Sequence, residues 1–89
     1  MIKTQLVIIN KLGLHARAAA KFVSCTAAFS ANIQAGKDGK MVDGKSIMSV
    51  MMLAASRGTE LDLQIDGEDE QEAFNALTDL IEDYFGEGE

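Results

Sequence analysis

The stretch Gly13-Leu14-His15-Ala16-Arg17-Ala18-Ala19-Ala20 contains the only histidine of the chain, followed by a run rich in alanine. Alanine is the strongest helix former, so a helix is predicted to begin directly after His15. His15 then lies at the N-cap, beside backbone N–H groups that have no partner within the helix. Those amides and the helix dipole form an anion site, and the dipole favours a neutral, nucleophilic imidazole. The stretch is therefore predicted to accept a phosphoryl group on a ring nitrogen of His15.

Two residues of this stretch are poor choices for stability alone. Serine, aspartate and asparagine are the preferred N-cap residues, and histidine is not among them. Arg17 lies in the first turn, where the helix dipole favours acidic side chains. A lone histidine is commonly an ordinary surface or core residue. Two unfavourable choices side by side instead indicate function, since natural sequences break local rules mainly at functional sites. Arg17 is predicted to bring its planar cationic donor group to the phosphoryl oxygens.

Two segments resemble one known family. The run from Asn10 to Arg17 is similar to the active-site motif of the HPr family, the histidine phosphocarriers of the bacterial phosphotransferase system. The run from Gly44 to Leu53 resembles the segment of that family that carries a regulatory serine, here Ser46. The resemblance covers essentially the whole chain. One departure is Ala18, where the family usually has proline. Proline in a first helical turn preorganises the backbone, so phosphoryl transfer is expected to survive this change.

The resemblance implies several properties of this chain. His15 would receive the phosphoryl group through Nδ1 from enzyme I, and the amides of Ala16 and Arg17 would bind its oxygens. The recipients would be the IIA proteins. Ser46 would be a target of an HPr kinase/phosphorylase. The protein would be a stoichiometric relay member, a monomer, rather than a free-standing enzyme.

Length and composition limit the class of protein. The 89 residues, 47% of them hydrophobic, fit one small domain spanning residues 1–89. Cys25 is the only cysteine, which excludes an internal disulfide and fits a reducing cytoplasm. One histidine and one cysteine do not form a zinc site, and no cofactor is expected. The N-terminus does not resemble a signal peptide, and no apolar run is long enough to span a bilayer. A cytoplasmic protein is predicted.

Charge is divided unevenly along the chain. Residues 1–57 carry all eight basic side chains and only two acids, whereas residues 58–89 carry twelve acids and no base. The acidic total of −6 argues against nucleic acid as a partner. The basic half contains His15 and Ser46, so that end of the molecule is predicted to attract acidic or phosphorylated partners.

Hydrophobic periodicity predicts the element order β-α-β-β-α-β-α. Alternation of apolar and polar residues indicates the first strand. It is clearest in the last strand, where Leu61, Leu63 and Ile65 are predicted to face inward. Both long helices have a single apolar stripe, so they are predicted to cover one face of an antiparallel sheet as an α+β, two-layer, open-faced sandwich. The sheet order 1-4-2-3 is what the HPr resemblance implies. The predicted ranges are strands 2–9, 32–35, 40–42 and 60–66 and helices 16–28 and 47–55, with a last helix after Asp69.

Local signals predict the turns and caps. Asp38-Gly39 is a hairpin signal, and Ser46 is a preferred N-cap residue. Gly58 is predicted to end the second helix in a left-handed conformation. Asp69 and Glu72 are spaced as a capping box for the last helix. That helix is predicted to bury a stripe that includes Tyr84 and to end at Gly86.

The second helix has almost no polar face. So small a domain has a core on only one side of this helix. The apolar side chains on its other side are therefore predicted to form an exposed docking patch. Methionine suits such a patch because its side chain adapts to several partners. Val50 and Leu53 could equally be core residues. The residues assigned to partner docking are Ala20, Ile47, Met48 and Met51.

Two other functions compete with the relay. A purely regulatory binding module would act through the face formed by Ser46 and the second helix, without phosphoryl uptake by His15. The His15–Arg17 pair argues against it. A small hydrolase with His15 as its base has no nucleophile or orienting acid in the same motif. Which branch of the phosphotransferase system is served does not follow from the sequence.

Overall fold

A computed structural model describes all residues, 1–89, as two layers. One layer is a four-stranded antiparallel sheet, and the other consists of three helices. A short 3-10 turn, Tyr84–Gly86, follows the last helix. The strands are β1 (Ile2–Val7), β2 (Asn32–Lys37), β3 (Lys40–Asp43) and β4 (Glu60–Asp66), and the helices are α1 (Ala16–Thr26), α2 (Ile47–Met52) and α3 (Glu70–Glu82).

The sheet has the order β1-β4-β2-β3, as the family resemblance implied. In the central pair, Ile33 lies opposite Ile65 and Ala35 opposite Leu63. The β2–β3 hairpin turns at Asp38 and Gly39, whose φ angles are 54° and 83°. Positive φ at both central residues matches the right-handed twist of the strands, so the Asp-Gly prediction is confirmed. β1 ends at Val7, two residues before the predicted end.

The core lies between the sheet and the helices. The inward side chains of β4 are buried, and their neighbours in the strand are half-buried or exposed, as the alternation predicted. Complete burial of one such leucine or isoleucine side chain stabilises the fold by about 1.5–3 kcal/mol. The helical side of the core consists of small and large apolar residues, namely Ala18, Ala19 and Phe22 of α1, Val50 of α2, and Ala73, Leu77 and Ile81 of α3.

The first two helices are shorter than predicted. α1 ends at Thr26, where the buried hydroxyl donates to the carbonyl of Gly44 at 2.8 Å, a contact with a distant part of the chain. α2 ends at Met52, and the left-handed residue after it is Ala54, with φ 52°. The prediction that Gly58 caps α2 is therefore wrong. The amide of Gly58 bonds instead to the carbonyl of Ile8 at 2.7 Å, at the start of β4.

The predicted capping box of α3 is also wrong. Asp69 is the N-cap residue, but its side chain makes no bond to its own helix. Its carboxylate accepts the amides of Ser30 at 2.8 Å and Ala31 at 2.9 Å, and so links α3 to the start of β2. The bond from the Ser30 amide is the main reason that the pKa of Asp69 lies below its ordinary value. A tertiary contact thus replaces the local one that the spacing suggested.

The C-terminal end differs most from the prediction. α3 ends at Glu82, and Tyr84, which was predicted to be buried, is 38% exposed. Phe85 is fully buried in its place. Tyr84 and Phe85 both have positive φ, 57° and 53°, which costs about 1–2 kcal/mol per residue for L-amino acids. The burial of Phe85 offsets this strain, and the left-handed turn ends the helical path before residues 87–89, which contact the loop before His15.

Candidate functional site

His15 is the N-cap residue of α1. Its backbone is extended, with φ −70° and ψ 176°, and its carbonyl accepts the amide of Ala19 at 2.8 Å. The imidazole does not cap the helix, since it makes no hydrogen bond to the amides of the first turn. About a quarter of the side chain is exposed to solvent. The only histidine of the chain is therefore accessible and is not used to stabilise its own helix.

The loop before His15 is fixed on both sides. The buried side chain of Asn10 donates to the carbonyl of Gly13 at 2.8 Å and closes the loop. The amide of Leu14 donates to the carbonyl of Ala55 at 2.8 Å, and Leu14 itself is buried. Gly13 has φ +66° and lies against the backbone of the 55–56 segment. These contacts set the position from which His15 projects.

Ala16 and Arg17, which the sequence predicts to bind the phosphoryl oxygens, lie in the first turn of α1. Both residues are exposed, and their backbone amides have no partner within the protein, because the first bonded amide of α1 is that of Ala19. The guanidinium of Arg17 makes no ion pair or hydrogen bond. Ala18, at the position of the family's usual proline, is fully buried. Two free amides and a free guanidinium are thus available beside the imidazole.

Glu87 is a part of this site that was not predicted from the sequence. One carboxylate oxygen is hydrogen-bonded to Nε2 of His15, and the other accepts from the side chain of Asn10 at 3.0 Å. Burial acts to raise the pKa of Glu87. The hydrogen bonds from Asn10 and His15, together with the charge of Arg17, outweigh burial and lower that pKa. In sequence, Glu87 is one of twelve acids in the C-terminal third, and nothing distinguishes it from the others.

The C-terminal segment closes one side of the site. The carbonyl of Phe85 accepts the Lys21 ammonium at 2.6 Å, and the carbonyl of Glu89 accepts the amide of Lys11 at 3.0 Å. Acidic residues of the C-terminal segment thus lie on the basic loop, which was predicted to attract acidic partners. A pocket of about 280 Å³ lies between them, lined by Lys11, Leu12, Arg17, Lys21, Gly86, Glu87 and Glu89.

Ser46 is the N-cap residue of α2, and its hydroxyl accepts the amide of Ser49 at 3.3 Å. The far end of α2 adjoins the His15 loop through the bond between Leu14 and Ala55. A six-residue helix is about 9 Å long, so Ser46 lies roughly that distance farther along the axis. The structure therefore places Ser46 at the end of α2 that is farther from the His15 loop.

The apolar side chains of α2 divide as the sequence suggested. Val50 and Leu53 are buried, whereas Ile47, Met48 and Met51 are exposed. Ala20, the remaining residue of the predicted docking patch, is half-buried on α1. Met52 and Leu12 are 73% and 66% exposed and were not assigned to the patch. Helical spacing could have identified Met52. Leu12 lies in the loop, where no periodicity applies.

Other features of the chain do not add to this site. Cys25 is half-buried, and burial raises the pKa of its thiol. No group of three or more His, Cys, Asp and Glu side chains lies close enough together to hold a metal ion. No helix in this fold combines the length and the apolar character needed to cross a bilayer.

Comparison with known proteins gives consistent matches. Residues 2–83 match the family described as the PTS HPr component phosphorylation site. The phosphocarrier protein HPr of Neisseria meningitidis serogroup A is 55% identical over 89 residues, which cover 100% of both chains. Among solved structures, HPr-C-His from Thermoanaerobacter tengcongensis has a TM-score of 0.93 and 49% identity, covering 98% of both chains. A structure of an HPr dimer from the same organism has a TM-score of 0.78 at 49% identity, covering 98% of this chain and 100% of that one.

Proposed function

This chain belongs to the HPr family of the phosphotransferase system, and from that premise we propose that it relays a phosphoryl group through His15. Phosphoenolpyruvate phosphorylates enzyme I on a histidine. His15 receives the phosphoryl group from that phosphohistidine and passes it to a IIA protein. The observation that carries this proposal is the accessible imidazole of His15 at a helix start whose first amides are unbonded. The protein ends each cycle unchanged, as a stoichiometric carrier.

The transfer is an in-line displacement at phosphorus. The lone pair of Nδ1 of His15 forms the new N–P bond while the donor nitrogen of enzyme I takes back the electrons of the old one. The amides of Ala16 and Arg17 bind the equatorial oxygens, and the Arg17 guanidinium neutralises charge in the transition state. Positioning and electrostatics suffice for such a loose transition state. Ala18 keeps α1 helical from its first turn, which supports transfer without the family's proline.

Docking is assigned to the apolar surface of α2 and the adjoining face of α1. Ile47, Met48 and Met51 give a partner apolar area to bury, and the half-buried Ala20 lies on α1, which packs against α2. Met52 and Leu12 are further exposed apolar side chains that we add to the candidate docking residues. Enzyme I and the IIA proteins would share this surface in turn, which the adaptable methionines permit. We assign no nucleic-acid or membrane partner. We propose that the protein works as a monomer in the cytoplasm, where its single thiol stays reduced.

The direct test is phosphoryl uptake by the wild-type chain. After incubation with phosphoenolpyruvate and enzyme I, intact mass is expected to rise by one phosphoryl group, and brief acid treatment is expected to remove it. The control omits phosphoenolpyruvate. An unchanged mass would contradict the relay and favour the regulatory binding module. An acid-stable gain would place the phosphoryl group on a hydroxyl, such as that of Ser46, instead of a ring nitrogen.

Ser46 is proposed as a regulatory site for an HPr kinase/phosphorylase. A phosphate at a helix N-terminus is tolerated by the dipole, so the fold is expected to survive. Its negative charge beside the α2 surface would repel acidic partners and slow docking. Ser46→Asp is therefore expected to raise the KM for uptake from enzyme I about tenfold and to leave kcat nearly unchanged, an effect of about 1.4 kcal/mol.

Ser46→Asn is the matched control, because asparagine also caps a helix but adds no charge. Steady-state uptake kinetics of both variants separate charge from capping. Equal KM values for Ser46→Asp and wild type would contradict regulation by charge at this position.

A further inference from the structure

The C-terminal segment reaches His15 through a strained but well-anchored path. Tyr84 and Phe85 adopt left-handed backbone conformations, and Phe85 is fully buried. The Lys21 ammonium holds the carbonyl of Phe85 at 2.6 Å. Strain of this kind persists only where the surrounding structure enforces it, and it is concentrated at functional sites. Its consequence here is the location of Glu87, two residues after Phe85.

The Glu87 carboxylate bridges two side chains of the site. It accepts from Asn10 Nδ2 at 3.0 Å with one oxygen and contacts Nε2 of His15 with the other. The Glu87 side chain is only 10% exposed. An ionised carboxylate can only accept hydrogen bonds, so Nε2 of His15 must carry the hydrogen. In a neutral ring the lone pair is then on Nδ1, which has no hydrogen-bond partner in the protein.

We infer that Glu87 is the positioning residue of the phosphoryl relay, fixing the His15 ring in the tautomer and orientation that present Nδ1 for attack. This inference rests on the proposed function. As the N–P bond forms at Nδ1, the ring loses electron density and the hydrogen stays on Nε2, bonded to Glu87. The carboxylate stabilises the positive charge that develops on the ring, as the buried aspartate does for histidine in a Ser-His-Asp triad. Asn10 donates a hydrogen bond to the Glu87 carboxylate and so fixes its position. The same side chain also closes the loop before His15.

This role explains why an acidic side chain lies beside a site that receives an anion. On simple Coulombic grounds Glu87 would repel a phosphoryl group, and Lys11, Arg17 and Lys21 around the pocket offset that repulsion. The carboxylate contacts Nε2, so the opposite ring nitrogen and the helix amides stay open. Glu87 therefore orients the nucleophile without occupying the atom that reacts.

The test compares Glu87→Gln with Glu82→Gln. Glu82 is the exposed last residue of α3 and lies outside the site, so its variant removes one negative charge and leaves the ring contact intact. Glu87→Gln is expected to lower kcat for uptake from phosphorylated enzyme I about 10- to 100-fold with KM nearly unchanged, the range found when a group that orients a metal-bound histidine is lost. Glu82→Gln is expected to behave as wild type. Thermal melting checks that both variants fold.

A second readout needs no relay partner. The ¹⁵N chemical shifts of the His15 ring report which nitrogen carries the hydrogen. In wild type at neutral to mildly alkaline pH the Nε2–H form is expected to predominate, and in Glu87→Gln the two forms are expected to be mixed. An unchanged tautomer, equal slowing by both variants, or faster uptake by Glu87→Gln would each overturn the inference. If the wild-type chain takes up no phosphoryl group, the proposed function fails, and the ¹⁵N measurement still decides the role of Glu87.

Discussion

His15→Ala is expected to take up no phosphoryl group from phosphorylated enzyme I under conditions that load the wild-type chain completely. His15 is the only histidine in the chain, so the substitution removes every imidazole nitrogen at once. The neighbouring amides of Ala16 and Arg17 can bind oxygens but cannot form a bond to phosphorus. The measurement is intact mass after incubation with phosphoenolpyruvate and enzyme I. Loading of the variant to the wild-type level would remove His15 from the mechanism.

The variant is expected to stay folded, because the imidazole makes no capping bond to α1 and is partly exposed. Circular dichroism and thermal melting supply that control. Arg17→Ala gives a graded comparison, since it keeps the nucleophile and removes the guanidinium. Loss of one group that stabilises transition-state charge costs about 10²–10³-fold in rate. Arg17→Ala is expected to load slowly but completely, whereas His15→Ala is expected not to load. This result would separate the role of Arg17 in stabilising charge from the role of His15 in forming the bond to phosphorus.

Gly13→Ala is expected to lower the free energy of unfolding by about 2–5 kcal/mol, combining left-handed strain with overpacking. Gly13 has φ +66°, and an added Cβ would lie 2.5 Å from the carbonyl oxygen of Ala55 and 2.8 Å from Cα of Ser56. Both neighbours are backbone atoms, so no side chain can rotate away. The same Ala55 carbonyl accepts the amide of Leu14. Relief of the clash would therefore displace the His15 loop, and slower phosphoryl uptake is expected with the loss of stability.

Gly39→Ala is the matched control. Gly39 also has positive φ, +83°, but nothing lies within 4 Å of an added Cβ. This variant is expected to lose only the conformational part, about 1–2 kcal/mol, and to keep its rate of uptake. Urea unfolding and uptake kinetics on both variants make the comparison. Equal destabilisation by the two substitutions would show that the contact between Gly13 and the 55–56 segment is not important.

Features that depend on neighbours in sequence were predicted well. Alternation in β4 identified Leu61, Leu63 and Ile65 as buried, because a strand directs successive side chains to opposite faces. The Asp38-Gly39 turn and the cap at Ser46 follow from backbone preferences of single residues. The start of α1 after His15 follows from the alanine run. For the candidate site, the sequence therefore predicted that His15, the amides after it and Arg17 lie together at the start of one helix.

Features that depend on long-range contacts were predicted poorly. Asp69 has the spacing of a capping box, yet its carboxylate binds the amides of Ser30 and Ala31. Tyr84 continues the helical stripe in sequence, yet a left-handed turn exposes it and buries Phe85 instead. In each case a local preference competes with a tertiary contact, and the tertiary contact wins. Such contacts join segments that pattern analysis treats separately.

The sequence by itself determined the helix that begins at His15, the alternation of β4 and the apolar surplus of α2. Each of these is set by residues within a few positions of one another, where periodicity and capping rules apply. Only the tertiary structure decided that the acidic C-terminus returns to the basic loop and that Glu87 bonds to His15 across 72 residues. Chain folding must bring those two segments together before any interaction between them exists. The physical reason is that a carboxylate acquires a partner by proximity in space, which no spacing in sequence encodes.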